Sequence, residues 1–174
     1  MVEGDYDMKA IPVLIKKCRN QVKVVARQCR GPVIGKFRGI LDEFATRASV
    51  DKALIICDAN GVDPTKLIAE MNKRLADRRP YEFPVKPLVI VEELEAWLLA
   101  DELAIETVVG IKARFPDPEK LADPKATLKS LLSRSGKPYT AEMAKRIAES
   151  VRANVLAKRC QSFAEFREAV LRVP

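Results

Sequence analysis

Two short apolar runs, each followed by a helical pattern, constrain the fold of this chain more than any other feature. Residues 53–57 read ALIIC and residues 85–91 read VKPLVIV. Runs of this kind are typical of parallel strands that are buried on both faces. A third candidate strand, VKVVA at residues 22–26, is rich in β-branched side chains. The alternation of strands and helices predicts an α/β fold with a parallel sheet flanked by helices.

Helical periodicity fills the segments between these runs. Residues 7–17 predict a first helix, and residues 36–47 carry apolar side chains at the spacing of one helical face. Asp63 followed by Pro64 predicts the start of a helix that continues to about residue 76. Residues 92–104, EELEAWLLADELA, predict a helix directly after the last strand, in which Trp97 belongs to the core. Pro87 places that strand at an edge or a bulge.

The last third of the chain predicts helices alone. Asp117-Pro118 and Asp123-Pro124 are two helix starts, and Thr140 opens a helix to about residue 157. Ser162 and Glu165 have the spacing of a capping box. We therefore divide the chain into an α/β domain at residues 1–110 and a helical extension at 111–174, packed on the same domain.

Composition excludes several classes of function. The chain has no histidine, so catalysis by a histidine base is impossible. Its four cysteines are scattered, which makes a zinc site or disulfides improbable. No window approaches the roughly 18 apolar residues of a membrane span, and the acidic start does not resemble a signal peptide. These features predict a cytoplasmic protein with no membrane contact.

Positive charge is concentrated in the N-terminal third. The net charge is +7, and residues 9–39 contain no acid. The basic residues of this run are Lys9, Lys16, Lys17, Arg19, Lys23, Arg27, Arg30, Lys36 and Arg38. Such a run favours a polyanion such as nucleic acid as the partner. The alternative is that the excess of positive charge only maintains solubility.

Acidic residues stand beside the predicted strand ends in three places: Glu3-Gly4, Asp58 to Gly61, and Glu92 to Glu95. Ligands of open parallel sheets bind outside the carboxyl ends of the strands, where these acids should converge. Their mutual repulsion is relieved by a cation, and Mg²⁺ prefers oxygen ligands. The alternatives are a disordered terminus for Glu3, a turn role for Asp58 and a helix-dipole role for the glutamates.

These motifs also carry a family resemblance over nearly the whole chain. The segment from Glu93 to Asp101 forms an E-x-E-A-W-L-L-x-D box, Glu3-Gly4-x-x-Asp7 resembles a Toprim opening motif, and Asp58-x-Asn60-Gly61 resembles its central acidic motif. Asp123-Pro124-Lys125 and Ser162-Phe163 match further features. The chain thus resembles Toprim-like bacterial proteins with this box, which are related to the nuclease domain of OLD (overcoming-lysogenization-defect) proteins.

The resemblance implies a Toprim-like fold and Mg²⁺- or Mn²⁺-dependent phosphodiester chemistry. It gives Glu3 the role of metal ligand or acid/base and makes Asp58 the principal metal ligand. Asn60 stands at the second acid of the central motif, where an amide oxygen can still coordinate a metal but brings no charge. Glu93 or Glu95 would complete a second metal position. If both lie within the helix, they point to different sides, and only one of them faces the metal.

Lys125 and the N-terminus complete the expectations from the resemblance. Lys125 is a phosphate contact in that scheme, the alternative being a solvated surface lysine. Toprim sheets begin with a strand before the E-G motif, whereas this sequence starts at that motif. Either the N-terminus is truncated or the first strand is missing.

Three functions remain open on the sequence alone. The first is a Mg²⁺- or Mn²⁺-dependent nuclease, which the resemblance extends to the effector of a defence system with an ATPase partner. No P-loop occurs, so nucleotide hydrolysis must be supplied by another protein. The second is a non-catalytic, basic Toprim-like module that binds nucleic acid. The third is a phosphotransfer or nucleotidyl enzyme that uses the same acids.

Overall fold

The structure is a computed structural model. It describes residues 1–29, 31–47, 50–77 and 79–172. Two strands, β1 (Ala53–Asp58) and β2 (Val85–Ile90), pair in parallel, with Ala53 opposite Val85 and Asp58 opposite Ile90. The described helices are α1 (Asp5–Cys18), α2 (Val33–Arg47), α3 (Pro64–Ala76), α4 (Leu94–Leu99), α5 (Glu102–Val109), α6 (Pro124–Arg134), α7 (Ala141–Ser150), α8 (Ala153–Arg159) and α9 (Gln161–Leu171), with a 3-10 turn at Pro118–Lys120. The prediction of an α/β fold with a parallel sheet and a helical C-terminal region is confirmed.

The first two residues extend the hydrogen bonding of β1. The Ile56 N–H donates to the Met1 carbonyl at 3.0 Å, and the Val2 N–H donates to the Arg27 carbonyl at 3.0 Å. Val2 and Gln28 form an isolated parallel bridge. Residues 1–2 therefore lie between β1 and residues 27–29, where a short first strand would lie. The sequence left open whether the N-terminus is truncated or the first strand is missing; in the structure, residues 1–2 form this short pairing directly before Glu3.

The predicted strand at residues 22–26 is wrong. These residues adopt neither helix nor strand, and Val25 is 50% exposed. β-Branched side chains favour a strand only when a neighbour supplies hydrogen bonds and a packing face. Here the available neighbour, Val2, pairs two residues farther along, at Gln28.

The sheet separates two apolar cores. Ile55, Cys57 and Val89 face the core that α2 and α3 cover. Alternate residues, Ile56 and Leu88 among them, face the core shared with α1 and the helices from α4 onward. Alternation along a strand produces this division. The C-terminal helices share a core with the sheet, while the boundary at residue 110 stays a prediction.

Two of the helix starts predicted from an aspartate followed by proline agree with the structure. Asp63 accepts from the Thr65 N–H at 2.9 Å, and Asp123 accepts from the Ala126 N–H at 2.6 Å. Asp117 makes no such side-chain bond and precedes only the 3-10 turn. A cap followed by proline is therefore sufficient only where the following residues continue a helical face.

Two predicted long helices are divided at one ion pair, that of Asp101 with Arg152. The Asp101 carboxylate is fully buried and receives the Arg152 backbone N–H at 2.8 Å and its guanidinium at 2.7 Å. Asp101 also caps α5, so the predicted helix at 92–104 ends at Leu99. The backbone N–H of Arg152 is used by Asp101, and the predicted helix from Thr140 to about residue 157 is broken there into α7 and α8.

The predicted capping box at Ser162 is wrong. Helix α9 begins at Gln161, and the Glu119 carboxylate caps it by accepting the N–H groups of Gln161 at 2.7 Å and Ser162 at 3.0 Å. The Ser162 hydroxyl instead accepts from Trp97 Nε1 at 2.7 Å. Trp97 is 1% exposed, so its predicted core role is confirmed.

No helix in the four described ranges is long and apolar enough to cross a lipid bilayer.

We expect Trp97→Phe to lower the free energy of unfolding by about 1–3 kcal/mol. The change removes a buried hydrogen bond to Ser162 and leaves a small gap among Phe163 and Phe166. Urea unfolding measures the effect. Leu103→Ala, at a side chain 54% exposed, is the control and should change stability by less than about 0.5 kcal/mol. A Trp97→Phe protein as stable as wild type would contradict this account of the core.

Candidate functional site

Acidic side chains gather at the carboxyl end of β1. Asp58 is the last residue of the strand, and Glu3 follows the Val2 bridge at the same end. Glu93 comes shortly after β2, as the residue before α4. Because β1, β2 and residues 1–2 are parallel, their carboxyl ends meet at one edge. This edge is where the sequence placed its candidate site.

Asp7 joins this group from the first turn of α1. Its carboxylate is buried and accepts the Gly4 N–H at 2.9 Å. The sequence motif included Asp7, but no role in the site was predicted for it. Its spacing from Glu3 could have revealed that role, because four residues are about one helical turn and bring the side chain back beside Glu3.

Lys125 is the cation of the site. Its ammonium lies 3.2 Å from Glu93 Oε1 and 3.5 Å from Glu95 Oε1. Its backbone N–H also donates to Glu93 Oε2 at 3.1 Å. The predicted alternatives were a phosphate contact and a solvated surface lysine. The structure places Lys125 in an ion pair within the chain, with its side chain 29% exposed.

Glu93 and Glu95 both reach Lys125. Glu93 is the cap residue of α4, with extended backbone angles, and lies outside the helix. The two carboxylates were expected to point apart only if both residues lay within the helix, and Glu93 does not. The Glu95 side chain is 1% exposed and depends on its partners inside the protein.

Two tyrosines complete the surroundings of Glu95. The Tyr139 hydroxyl donates to Glu95 Oε1 at 2.8 Å, and its ring stacks on Tyr6 at 4.8 Å between centroids. The Lys125 ammonium lies 5.5 Å from the centre of the Tyr6 ring. Sequence reasoning missed both tyrosines, because nothing in the sequence pairs residues that are so far apart.

The carboxylates disturb one another's protonation. Burial is the largest cause that raises the pKa of Asp58 to about 9, and three neighbouring carboxylates add to the rise: Asp7, Glu95 and Glu3. Burial also raises the pKa of Asp7 to about 6, against the Gly4 N–H, which lowers it. Lys125 lowers the pKa of both acids but does not cancel the effect. The site therefore holds more negative charge than its own cation balances.

The backbone at Asn60 and Glu92 has an unusual conformation. Asn60 has a φ of 47° and Glu92 a φ of 59°, and the Asn60 N–H donates to the Glu92 carbonyl at 3.0 Å. Asparagine tolerates this left-handed region better than most residues. Asn60 therefore suits the conformation that this turn requires.

Glu3 has a defined place in the structure. Its Oε1 accepts the Val33 N–H at 3.2 Å, at the start of α2. The positive end of that helix favours a carboxylate there. One oxygen of Glu3 is thus used by the fold.

No three acidic or cysteine side chains within residues 1–29, 31–47, 50–77 and 79–172 form a ready-made metal site. The contacts above supply a physical reason. Lys125 occupies Glu93 and Glu95, α2 holds Glu3, and Gly4 holds Asp7. Glu3, Asp58, Glu93 and Glu95 remain predicted metal ligands, as does Asn60.

A parallel α/β fold with carboxylates at its strand ends defines a broad class of proteins. Within that class, the chain belongs to the family described as "Domain of unknown function (DUF4276)", whose model matches residues 2–171. No curated protein and no solved structure matches the chain. The matched segment includes the sheet, the C-terminal helices and the acidic edge, by which we mean the side chains of Glu3, Asp7, Asp58, Glu93 and Glu95. The resemblance to Toprim-like nucleases stays a prediction.

We expect Asp58→Asn to stabilise the protein at alkaline pH. The Asp58 pKa is about 9 in the folded chain against an ordinary 3.8, so the folded state binds more protons between these values. Wild-type stability should therefore fall as pH rises from about 5 to 9. The variant lacks this loss and should be more stable by roughly 1–3 kcal/mol at pH 8.

Urea unfolding between pH 5 and 9, with a chelator present, measures this difference. Asp51→Asn is the matched control, at an exposed acid just before the other end of β1. An Asp58→Asn protein with the same pH slope as wild type would show that Asp58 is charged in the folded chain.

Proposed function

We propose that this chain is a Mg²⁺- or Mn²⁺-dependent nuclease that hydrolyses phosphodiester bonds of nucleic acid. The observation that supports the proposal is the group of mutually repelling carboxylates from Glu3, Asp7, Asp58 and Glu95 at the carboxyl ends of parallel strands. Asp7 and Glu95 are buried and Glu3 and Asp58 are partly buried, and a fold gains little from bringing such acids together, which makes a functional role the better explanation.

The donor chemistry of this edge suits a hard divalent cation. Carboxylate oxygens are the preferred ligands of Mg²⁺, and a cation would relieve the repulsion that raises the Asp58 pKa. Asp58 would be the principal ligand, with Asp7 and Glu3 beside it. A metal held there supplies polarisation of a phosphoryl oxygen and acidification of a bound water.

The remaining residues of the site have supporting roles in this proposal. Tyr139 fixes the direction of Glu95 through its hydroxyl. Glu3, with one oxygen bound by α2, keeps a second oxygen for a ligand or for proton transfer. With no histidine in the chain, carboxylates are among the groups that remain for acid/base work, together with lysine.

Charge on the N-terminal third supports nucleic acid as the substrate. Exposed members of the basic run include Lys16 and Lys17 at the end of α1, with Lys23 and Lys36 farther along. Arg30, also in the run, lies outside the described residues. A surface of this sign attracts phosphates through counterion release. The ATPase partner, which only the Toprim resemblance implies, and the cytoplasmic location, which the sequence predicts, belong to the same proposal.

We expect wild-type protein to bind Mn²⁺ and Mg²⁺ in calorimetric titrations, and Asp58→Asn to bind at least about tenfold more weakly. The variant keeps the shape of the side chain but loses the charge that a cation needs. Asp51→Asn should bind like wild type.

Cleavage of labelled DNA and RNA, with Mn²⁺ or with chelator, follows on the same proteins. A wild-type protein that binds no metal at millimolar concentration would contradict the nuclease proposal.

A second candidate is a non-catalytic, basic module that binds nucleic acid. Two points favour it: Asn60 stands where the Toprim motif that it resembles has an acid, and no three-ligand site is preformed among the described residues. In this case binding should be equally strong with chelator and with metal.

For this second function, Lys16→Glu/Lys17→Glu should weaken binding to duplex DNA by at least about tenfold and reduce its salt dependence. Fluorescence anisotropy at several salt concentrations measures both quantities. Lys66→Glu/Lys73→Glu, at exposed lysines of α3, is a control of equal charge change. Equal losses in both proteins would mean that net charge, rather than a defined surface, drives binding.

A further inference from the structure

The acidic edge already contains a cation that belongs to the chain. Lys125 is the second residue of α6, whose start is fixed by the Asp123 cap and Pro124. Both its ammonium and its backbone N–H contact the same carboxylate, that of Glu93. The position of the charge is thus set by the start of a helix as well as by a flexible side chain.

The second ion pair of Lys125 concerns a buried acid. Glu95 is 1% exposed, and one of its oxygens receives both the Tyr139 hydroxyl at 2.8 Å and the ammonium at 3.5 Å. A buried carboxylate that loses its cation is costly. In this arrangement Lys125 is the counter-charge of Glu95, and Tyr139 donates a neutral hydrogen bond to it.

We infer that Lys125 is the resident cation of the acidic edge and that a divalent ion must compete with it for Glu93 and Glu95. The inference rests on the proposed function and deepens it, because it assigns Lys125 a positioning role at the same site. The Lys125 ammonium occupies the oxygens of Glu93 and Glu95 that a metal would otherwise use. Its positive charge also repels an ion held at the neighbouring Asp58, where Lys125 acts electrostatically.

The competition predicts a gain of metal affinity when the ammonium is removed. Calorimetric titration of Mn²⁺ into Lys125→Gln should give binding at least about tenfold tighter than in wild type, since repulsion is lost and the carboxylates are released. Lys125→Arg keeps the charge and should bind no tighter than wild type. Lys129→Gln removes an exposed lysine one turn along α6 and should match wild type.

Thermal unfolding supplies a readout that does not depend on activity. Without metal, Lys125→Gln should melt below wild type, because Glu95 loses its counter-charge. Added Mn²⁺ should raise its melting temperature more than that of wild type, and Lys129→Gln should respond as wild type does. Circular dichroism before titration establishes that each variant is folded.

The outcomes separate this inference from the proposed function. Wild type that binds Mn²⁺ while Lys125→Gln binds no tighter overturns the resident-cation role and leaves the nuclease proposal intact. Absence of binding in both proteins overturns both. Binding by Lys125→Gln alone supports the competition and counts against a nuclease that takes up metal unaided.

Discussion

The parallel register of β1, β2 and the first two residues is the constraint on which the rest of the structure depends. It puts the carboxyl ends of three backbone segments at one edge, so that Asp58 and Glu3 are neighbours although 55 positions separate them in the sequence. The same register sends alternate side chains of the strands into two different cores. Helices α2 and α3 cover one face, and α1 with the C-terminal helices covers the other. The acidic edge is a product of this arrangement.

Charge balance at that edge distinguishes two groups of acids. Glu93 and Glu95 have Lys125 as a direct partner, and Glu95 has Tyr139 in addition. Asp58 and Asp7 have raised pKa values because they are buried among other carboxylates. In a protein without histidine, burial together with neighbouring carboxylates is one way to bring the pKa of a side chain near neutral pH. The partnered acids are tied to the fold, whereas Asp58 is the acid whose state a bound cation would change most.

Local patterns predicted much of this molecule, and contacts between distant residues explain what they missed. The apolar runs identified β1 and β2, and the Asp63 and Asp123 caps identified the starts of α3 and α6. The candidate acids were likewise found from their place after strands. The wrong predictions concern residues whose structure depends on partners far away in the sequence, which local patterns do not identify. Val25 has no strand beside it, Ser162 serves Trp97, and Asp101 stops one helix by holding the backbone of another. The contact of Tyr139 with Glu95 was missed because it, too, joins residues that are far apart in the sequence.

The Asp101–Arg152 pair joins the end of the E-x-E-A-W-L-L-x-D box to the turn between α7 and α8. Asp101 is fully buried, and it binds both the backbone and the guanidinium of Arg152. A change at Arg152 alone would leave the buried Asp101 carboxylate without its counter-charge, whereas a joint change to neutral residues avoids that cost. Across the sequences of the family, loss of the basic residue at position 152 should therefore be accompanied by loss of the acid at position 101. Such covariation would mark the C-terminal helices as having evolved with the box, as parts of one unit.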